Sequence, residues 1–158
     1  MFHKLKLSLL LLLLLLLSLS ALISAECRLQ NSIDAAAVTP ETRTGLCKPR
    51  GENDWTFAMR LSELVNKGFI TYDNACVPRG VYSWGDDCGS PYVIQENWLP
   101  YVLTVTNVNF NIADGYFRFV YANGAYMIGE NQAMCEDLVG GLRVEVGCKT
   151  GFPIYGEP

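Results

Sequence analysis

Histidine is nearly absent from this chain: His3 stands alone among 158 residues, and it lies in the first, leader-like stretch. If that stretch is removed no imidazole remains. This excludes Ser-His-Asp and Cys-His nucleophile systems, histidine-based zinc and copper sites, and the acid–base pairs of histidine-dependent ribonucleases. Runs of basic residues are also lacking, so a phosphate backbone or an anionic lipid surface has nothing to bind. The D-x-D-x-D-G loop of a calcium site is missing. So is any Asn-x-Ser/Thr acceptor, and no asparagine-linked glycan is expected. Past residue 25 no further long apolar run occurs, which leaves no candidate for stable membrane insertion.

The first 25 residues carry Lys4 and Lys6, then nine consecutive leucines, then SLSALISA. A charged start, an apolar middle and small residues at the exit read as a secretory signal peptide cleaved after Ala25, with Ala21 or Ser24 as alternative positions. Residues 26–158 then form one secreted domain of 133 residues, long enough for a core of its own. Losing Lys4 and Lys6 leaves 10 basic against 16 acidic residues, a formal net of −6.

Cysteines 27, 47, 76, 88, 135 and 148 all fall in that domain. An even count behind a signal peptide predicts three disulfides, which removes thiolate catalysis and cysteine zinc sites. No cofactor and no metal is expected, and carboxylate chemistry is what survives. Six cysteines allow fifteen pairings; a preference for local bridges gives Cys27–Cys47, Cys76–Cys88 and Cys135–Cys148.

Periodicity predicts an α+β fold, an antiparallel sheet or partly open barrel packed against one helix. Residues 26–53, interrupted by Pro40, Gly45, Pro49 and Gly51, read as an extended arm with a short helical turn at Ser32 to Ala37. In NDWTFAMRLSELVNKG the residues Trp55, Ala58, Met59, Leu61, Leu64 and Val65 recur at three- and four-residue steps, with Asn53 or Asp54 as N-cap and Gly68 as C-cap. An amphipathic helix over 54–67 is expected.

From 69 to 148 the period is two. FITY, VYSW and YVIQ are short strand candidates, and LPYVLTVTNVNFNI needs a bulge near Thr106-Asn107 to reconcile its switch of apolar face. Phe117, Phe119 and Tyr121 should face inward, with Asn123-Gly124 forming the following hairpin turn. GLRVEVGC alternates as a last strand, and the tail GFPIYGEP is expected on the surface.

Two constellations compete for function. Asp86-Asp87 would need a second acid, such as Asp73, Glu96 or Glu130, roughly 5 to 9.5 Å away to act as a glycosidase pair. Adjacent residues on an extended segment point to opposite faces, so the pair fits a turn better than shared chemistry. Around it stand Arg79, Tyr82, Trp84 and Tyr92, residue types favoured as anchors at protein interfaces. These four are the candidate partner-binding residues, for a protein or small ligand whose identity the sequence does not reveal.

The leader, the even cysteine set and the β-rich body resemble small secreted effectors of plant-associated fungi. From Ala75 to Cys148 the order of Cys76, Cys88, Cys135 and Cys148 is similar to the two local bridges of the Alternaria major-allergen family of β-barrels. RLSELVNKG followed by strands looks instead like the α/β sandwiches of fungal killer toxins. The resemblance implies a secreted, non-catalytic binding protein that engages a host protein or ligand. A carboxylate-dependent carbohydrate-active enzyme and a structural wall or matrix protein are the alternatives.

Overall fold

The computed structural model describes residues 26–31, 45–62, 67–83, 88–95, 98–128, 134–140 and 145–157. The segment 1–25 expected to be a signal peptide, the expected helical turn at Ser32 to Ala37 and Leu142 to Val144 of the last predicted strand lie outside them. So do Trp84, Asp86, Asp87, Glu96 and Glu130.

The described residues form ten strands: β1 (Cys27–Leu29), β2 (Asp54–Ser62), β3 (Gly68–Tyr72), β4 (Pro78–Ser83), β5 (Tyr92–Ile94), β6 (Leu103–Asn109), β7 (Tyr116–Tyr121), β8 (Gly124–Met127), β9 (Met134–Asp137) and β10 (Glu145–Pro153). They make two five-stranded sheets, ordered β1-β5-β6-β7-β8 and β4-β3-β2-β10-β9, and neither closes on itself. The β1–β5 pair is parallel and the other pairs are antiparallel.

Aromatic side chains join the sheets face to face. Phe57 of β2 meets Phe117 and Phe119 of β7 at 5.4 and 4.9 Å between ring centroids, and Phe152 of β10 meets Tyr121 at 4.9 Å. Edge-on pairs of this kind stabilise beyond the area they bury. The architecture is therefore a β-sandwich with an aromatic core.

The expected α+β fold, with a helix over 54–67 and a partly open barrel, is overturned. Asp54–Ser62 is the middle strand of its sheet, paired along nine residues with β10 and along five with β3; Glu63 to Asn66 lie outside the described residues. Gly45 and Leu46 are the helical residues among those described. The physical reason lies in one buried alanine on the otherwise polar face of the strand. Phe57, Met59 and Leu61 point into the sandwich, while Ala58 packs on the other side with Leu46, Cys47, Ile70 and Tyr72. The odd positions Trp55, Phe57, Met59 and Leu61 pack in the core while the even positions Asp54, Thr56, Arg60 and Ser62 are polar; Ala58 alone interrupts this period of two, and in the sequence a helical spacing runs on from it through Leu61, Leu64 and Val65.

The second cover is the arm at Gly45 to Arg50. Gly147 admits it, since a Cβ there would stand 2.4 Å from Leu46 Cδ2. Lys149, buried on β10, donates to the Gly45 carbonyl and pairs with Glu136 at 3.1 Å. Burial lowers the Lys149 pKa and Glu136 opposes that shift.

The bridges correct the expected pairing as well. Cys27 is bonded to Cys88 and Cys47 to Cys76, in place of Cys27–Cys47 and Cys76–Cys88, while Cys135 is bonded to Cys148. β1 lies alongside β5, which brings Cys27 to Cys88, and the arm crosses the outer face of β2 and β3, which brings Cys47 to the β3–β4 turn. Both contacts are set by sheet order, so local spacing could not reveal them.

Phe117, Phe119 and Tyr121 are fully buried and the β6 register shifts between Val105 and Asn107. The hairpin turn falls one residue earlier than expected, at Ala122-Asn123, with Ala122 at φ 50° and Tyr121 opposite Gly124. Gly124 starts β8 because the Tyr126 ring lies over it, with the hydroxyl 2.4 Å from where a Cβ would stand. The tail is only partly superficial, since Gly151–Pro153 complete β10 and Phe152 is buried.

Candidate binding surface

One end of the sandwich gathers the β3–β4 turn, the β5–β6 connection, the β7–β8 turn and the tail after β10. Register shows why. Tyr72 pairs with Thr56 and Thr56 with Gly151, while Ile94 pairs with Leu103 and Leu103 with Tyr121, and the Tyr121–Phe152 contact joins the two groups.

Asp73 organises the first of these connections. Its buried carboxylate accepts the Ala75 and Val77 amides on Oδ1 at 3.0 and 2.8 Å, and Arg79 Nε and Nη2 on Oδ2 at 2.9 and 2.8 Å. The turn also holds Cys76 at φ 62°, fixed by its bridge to Cys47. Arg79, thus clamped, faces the Trp98 ring at 5.6 Å. A guanidinium over an indole is attracted by the ring quadrupole, so Trp98 is held by a residue that is itself held.

Of the four residues expected to meet a partner, Arg79 is partly exposed and Trp84 lies outside the described residues. Tyr82 and Tyr92 are buried in the core, which corrects their assignment to a contact surface. Tyr82 lies over Gly80, where its hydroxyl leaves no room for a Cβ, and the Tyr92 hydroxyl donates to the Cys88 carbonyl at 3.1 Å. Burial raises the pKa of Tyr92. Inward parity on β4 and β5 places both there.

The exposed aromatics are elsewhere on this end: Trp98 (58%), Tyr101 (48%) and Tyr155 (69%), with Val77 (45%) and Val102 (47%). Tyr101 packs edge-on against Tyr121 at 5.8 Å, and the Tyr121 hydroxyl donates to the Ile154 carbonyl at 2.7 Å. Comparison with protein-family models, characterised proteins and solved structures yields no match. The site therefore rests on its own geometry. Trp98 to Val102 had a signal in the sequence: WLPYV carries Pro100 inside an apolar run, which demotes it from strand to loop and so exposes its rings.

Of the acids first considered for a carboxylate pair, only Asp73 lies among the described residues. Asp73 is committed to Arg79 and the turn amides, and its suggested partners lie outside the described residues. Among the described residues no group of three or more His, Cys, Asp or Glu is placed to hold a metal ion.

Burial pushes the Tyr121 hydroxyl up to about 12 from 10.0. Between those values the folded state keeps a proton that the unfolded state has released, so stability falls as pH rises through this window. Tyr121→Phe is expected to flatten that alkaline decline, while losing roughly 1 kcal/mol at neutral pH with the hydrogen bond to Ile154. Denaturation midpoints followed from neutral to strongly alkaline pH check it; an unchanged slope would refute the assignment.

Proposed function

We propose that this protein is a non-catalytic binding protein that acts outside the producing cell, an effector whose partner docks on the aromatic end of the sandwich. Three disulfides, typical of extracellular proteins, support the compartment. The observation that carries the reading is the set of exposed rings on loops that a rigid scaffold holds. Exposed aromatics of this size are favoured where a surface is to be covered, and pre-ordered loops lose little entropy on binding.

The test is binding by the purified, disulfide-bonded protein to arrays of extracellular proteins and glycans, repeated with Trp98→Ala and Tyr101→Ala. Each substitution is expected to weaken a specific interaction about 30-fold or more, as hot-spot aromatics do, with the fold retained. Turnover of a glycan substrate, abolished by one carboxylate-to-amide change, would replace this reading with the enzymatic one. Binding insensitive to both substitutions would place the contact surface elsewhere.

A further inference from the structure

A second site lies beside the aromatic end, where Arg50, Asp54, Tyr126, Gly151, Pro153 and Glu157 line an open pocket of about 390 Å³. That volume is within the range of small-molecule sites. Its polar groups are fixed by bonds made elsewhere. Arg50 Nε donates to Thr56 Oγ1 at 3.1 Å, and the guanidinium lies over Gly151, where a Cβ would stand 2.3 Å from Nη1. Glu157 is clamped through its backbone to the Asn123 side chain, the amide donating to Oδ1 at 2.8 Å and Nδ2 donating to its carbonyl at 2.9 Å. Asp54 follows a turn closed by its own amide on the Gly51 carbonyl at 3.0 Å.

These anchors hold backbone and guanidinium atoms, while on the pocket side the Glu157 carboxylate stands close enough to the Tyr126 hydroxyl to act on it. Among the described residues neither Asp54 nor Glu157 forms an ion pair, and the Arg50 Nη groups meet no acceptor. The Tyr126 hydroxyl is buried without a hydrogen-bond partner. Burial raises its pKa, with the Glu157 carboxylate adding to the shift, so it is a hydroxyl that keeps its proton. An unsatisfied buried hydroxyl costs the fold roughly 1 to 3 kcal/mol, and its persistence at the wall of a pocket calls for a ligand or water to bond it.

We propose that this pocket binds a neutral polyhydroxylated ligand, a sugar ring, through Arg50, Asp54, Glu157 and the Tyr126 hydroxyl. Two carboxylates and a guanidinium side by side disfavour simple ions, because an ion of either sign meets a like charge. Vicinal hydroxyls suit the same set, donating to the carboxylates while accepting from Arg50 and Tyr126. Pro153, half-buried on the pocket wall, offers an apolar surface to the CH face of the ring.

The test uses the intact oxidised protein and amide chemical-shift titration with glucose, mannose, galactose, N-acetylglucosamine and their disaccharides. Glycine, acetate and spermidine serve as charged probes. At least one neutral sugar is expected to give saturable shifts at Gly151 and Glu157. Tyr126→Phe should weaken that binding about tenfold, the equivalent of one lost hydrogen bond, while thermal stability stays equal or rises because an unsatisfied group is gone. Glu157→Gln should weaken it as well, and Trp98→Ala should not. No saturation by any neutral sugar at concentrations on the order of 100 mM, or saturation by the charged probes alone, overturns the proposal. So does a Tyr126→Phe variant that unfolds more easily, since the hydroxyl would then be bonded within the fold.

Discussion

Asp73→Ala is expected to lower the unfolding free energy by about 3 kcal/mol. The carboxylate is buried and accepts four hydrogen bonds, two from turn amides and two from Arg79. Removing one partner of a buried pair costs about 3 to 5 kcal/mol. The Arg79 side chain is 38% exposed and regains part of its hydration, which places the pair at the low end. The Ala75 and Val77 amides then lose their acceptor, and Cys76 loses the turn that supports its positive φ. Asp73→Asn keeps an acceptor for both amides but not the charge, and a loss of about 1 to 2 kcal/mol is expected. Chemical denaturation of the oxidised variants gives both numbers. If alanine and asparagine were alike and within about 0.5 kcal/mol of the parent, the carboxylate would not be what holds this turn. A secondary effect is also expected at the surface, because Arg79 no longer fixes Trp98 and aromatic-end binding should weaken in parallel.

Paired replacement of Cys27 and Cys88 by alanine should be the most damaging of the three bridge removals. The bonded residues are separated by 61 positions, against 29 for Cys47–Cys76 and 13 for Cys135–Cys148. On a chain-entropy basis these spacings correspond to about 4, 3.5 and 3 kcal/mol. Position reinforces the order. β1 is a three-residue edge strand, it is joined to the fold by a short parallel pairing, and it carries buried Leu29 into the core. Without the bridge, the Arg28 and Leu29 amides should exchange with solvent faster than those of β7, well before global unfolding. Denaturation midpoints and hydrogen exchange of the three double variants test this. If the Cys135–Cys148 variant proved the least stable, packing of the fully buried Cys148 would outweigh loop closure.

Legibility in the sequence followed exposure. The outer face of β7 is solvated, so Tyr116, Arg118 and Val120 alternate with Phe117, Phe119 and Tyr121 and the strand could be read directly. The same holds for the bulge at Thr106, because one extra residue in a strand is what moves its apolar side chains from odd to even positions. β2 was misread for another reason: Asp54, Thr56, Arg60 and Ser62 alternate with Trp55, Phe57, Met59 and Leu61, but the buried Ala58 interrupts the polar face and the apolar Leu64 and Val65 extend a helical spacing past the strand. The Ala122-Asn123 turn was displaced by one residue because the Asn123 side chain clamps the tail and Gly124 makes room for Tyr126. Both demands come from residues far along the chain or on the facing surface.

The site was half legible. Arg79 and the neighbouring aromatics were singled out by residue type, but type does not tell a core tyrosine from a surface one. Tyr82 and Tyr92 are buried while Trp98 and Tyr101 are exposed, and strand parity against a second sheet decides which.

The sequence alone determined the chemistry open to this protein: near-absence of histidine, an even cysteine count and an acidic balance are properties of composition that folding cannot change. Tertiary structure decided which residues meet. It covered β2 twice, paired Cys27 with Cys88 and Cys47 with Cys76, and set Arg50, Tyr126 and Glu157 around one pocket. These contacts join positions tens of residues apart, and only sheet order and packing of one sheet on the other bring them together.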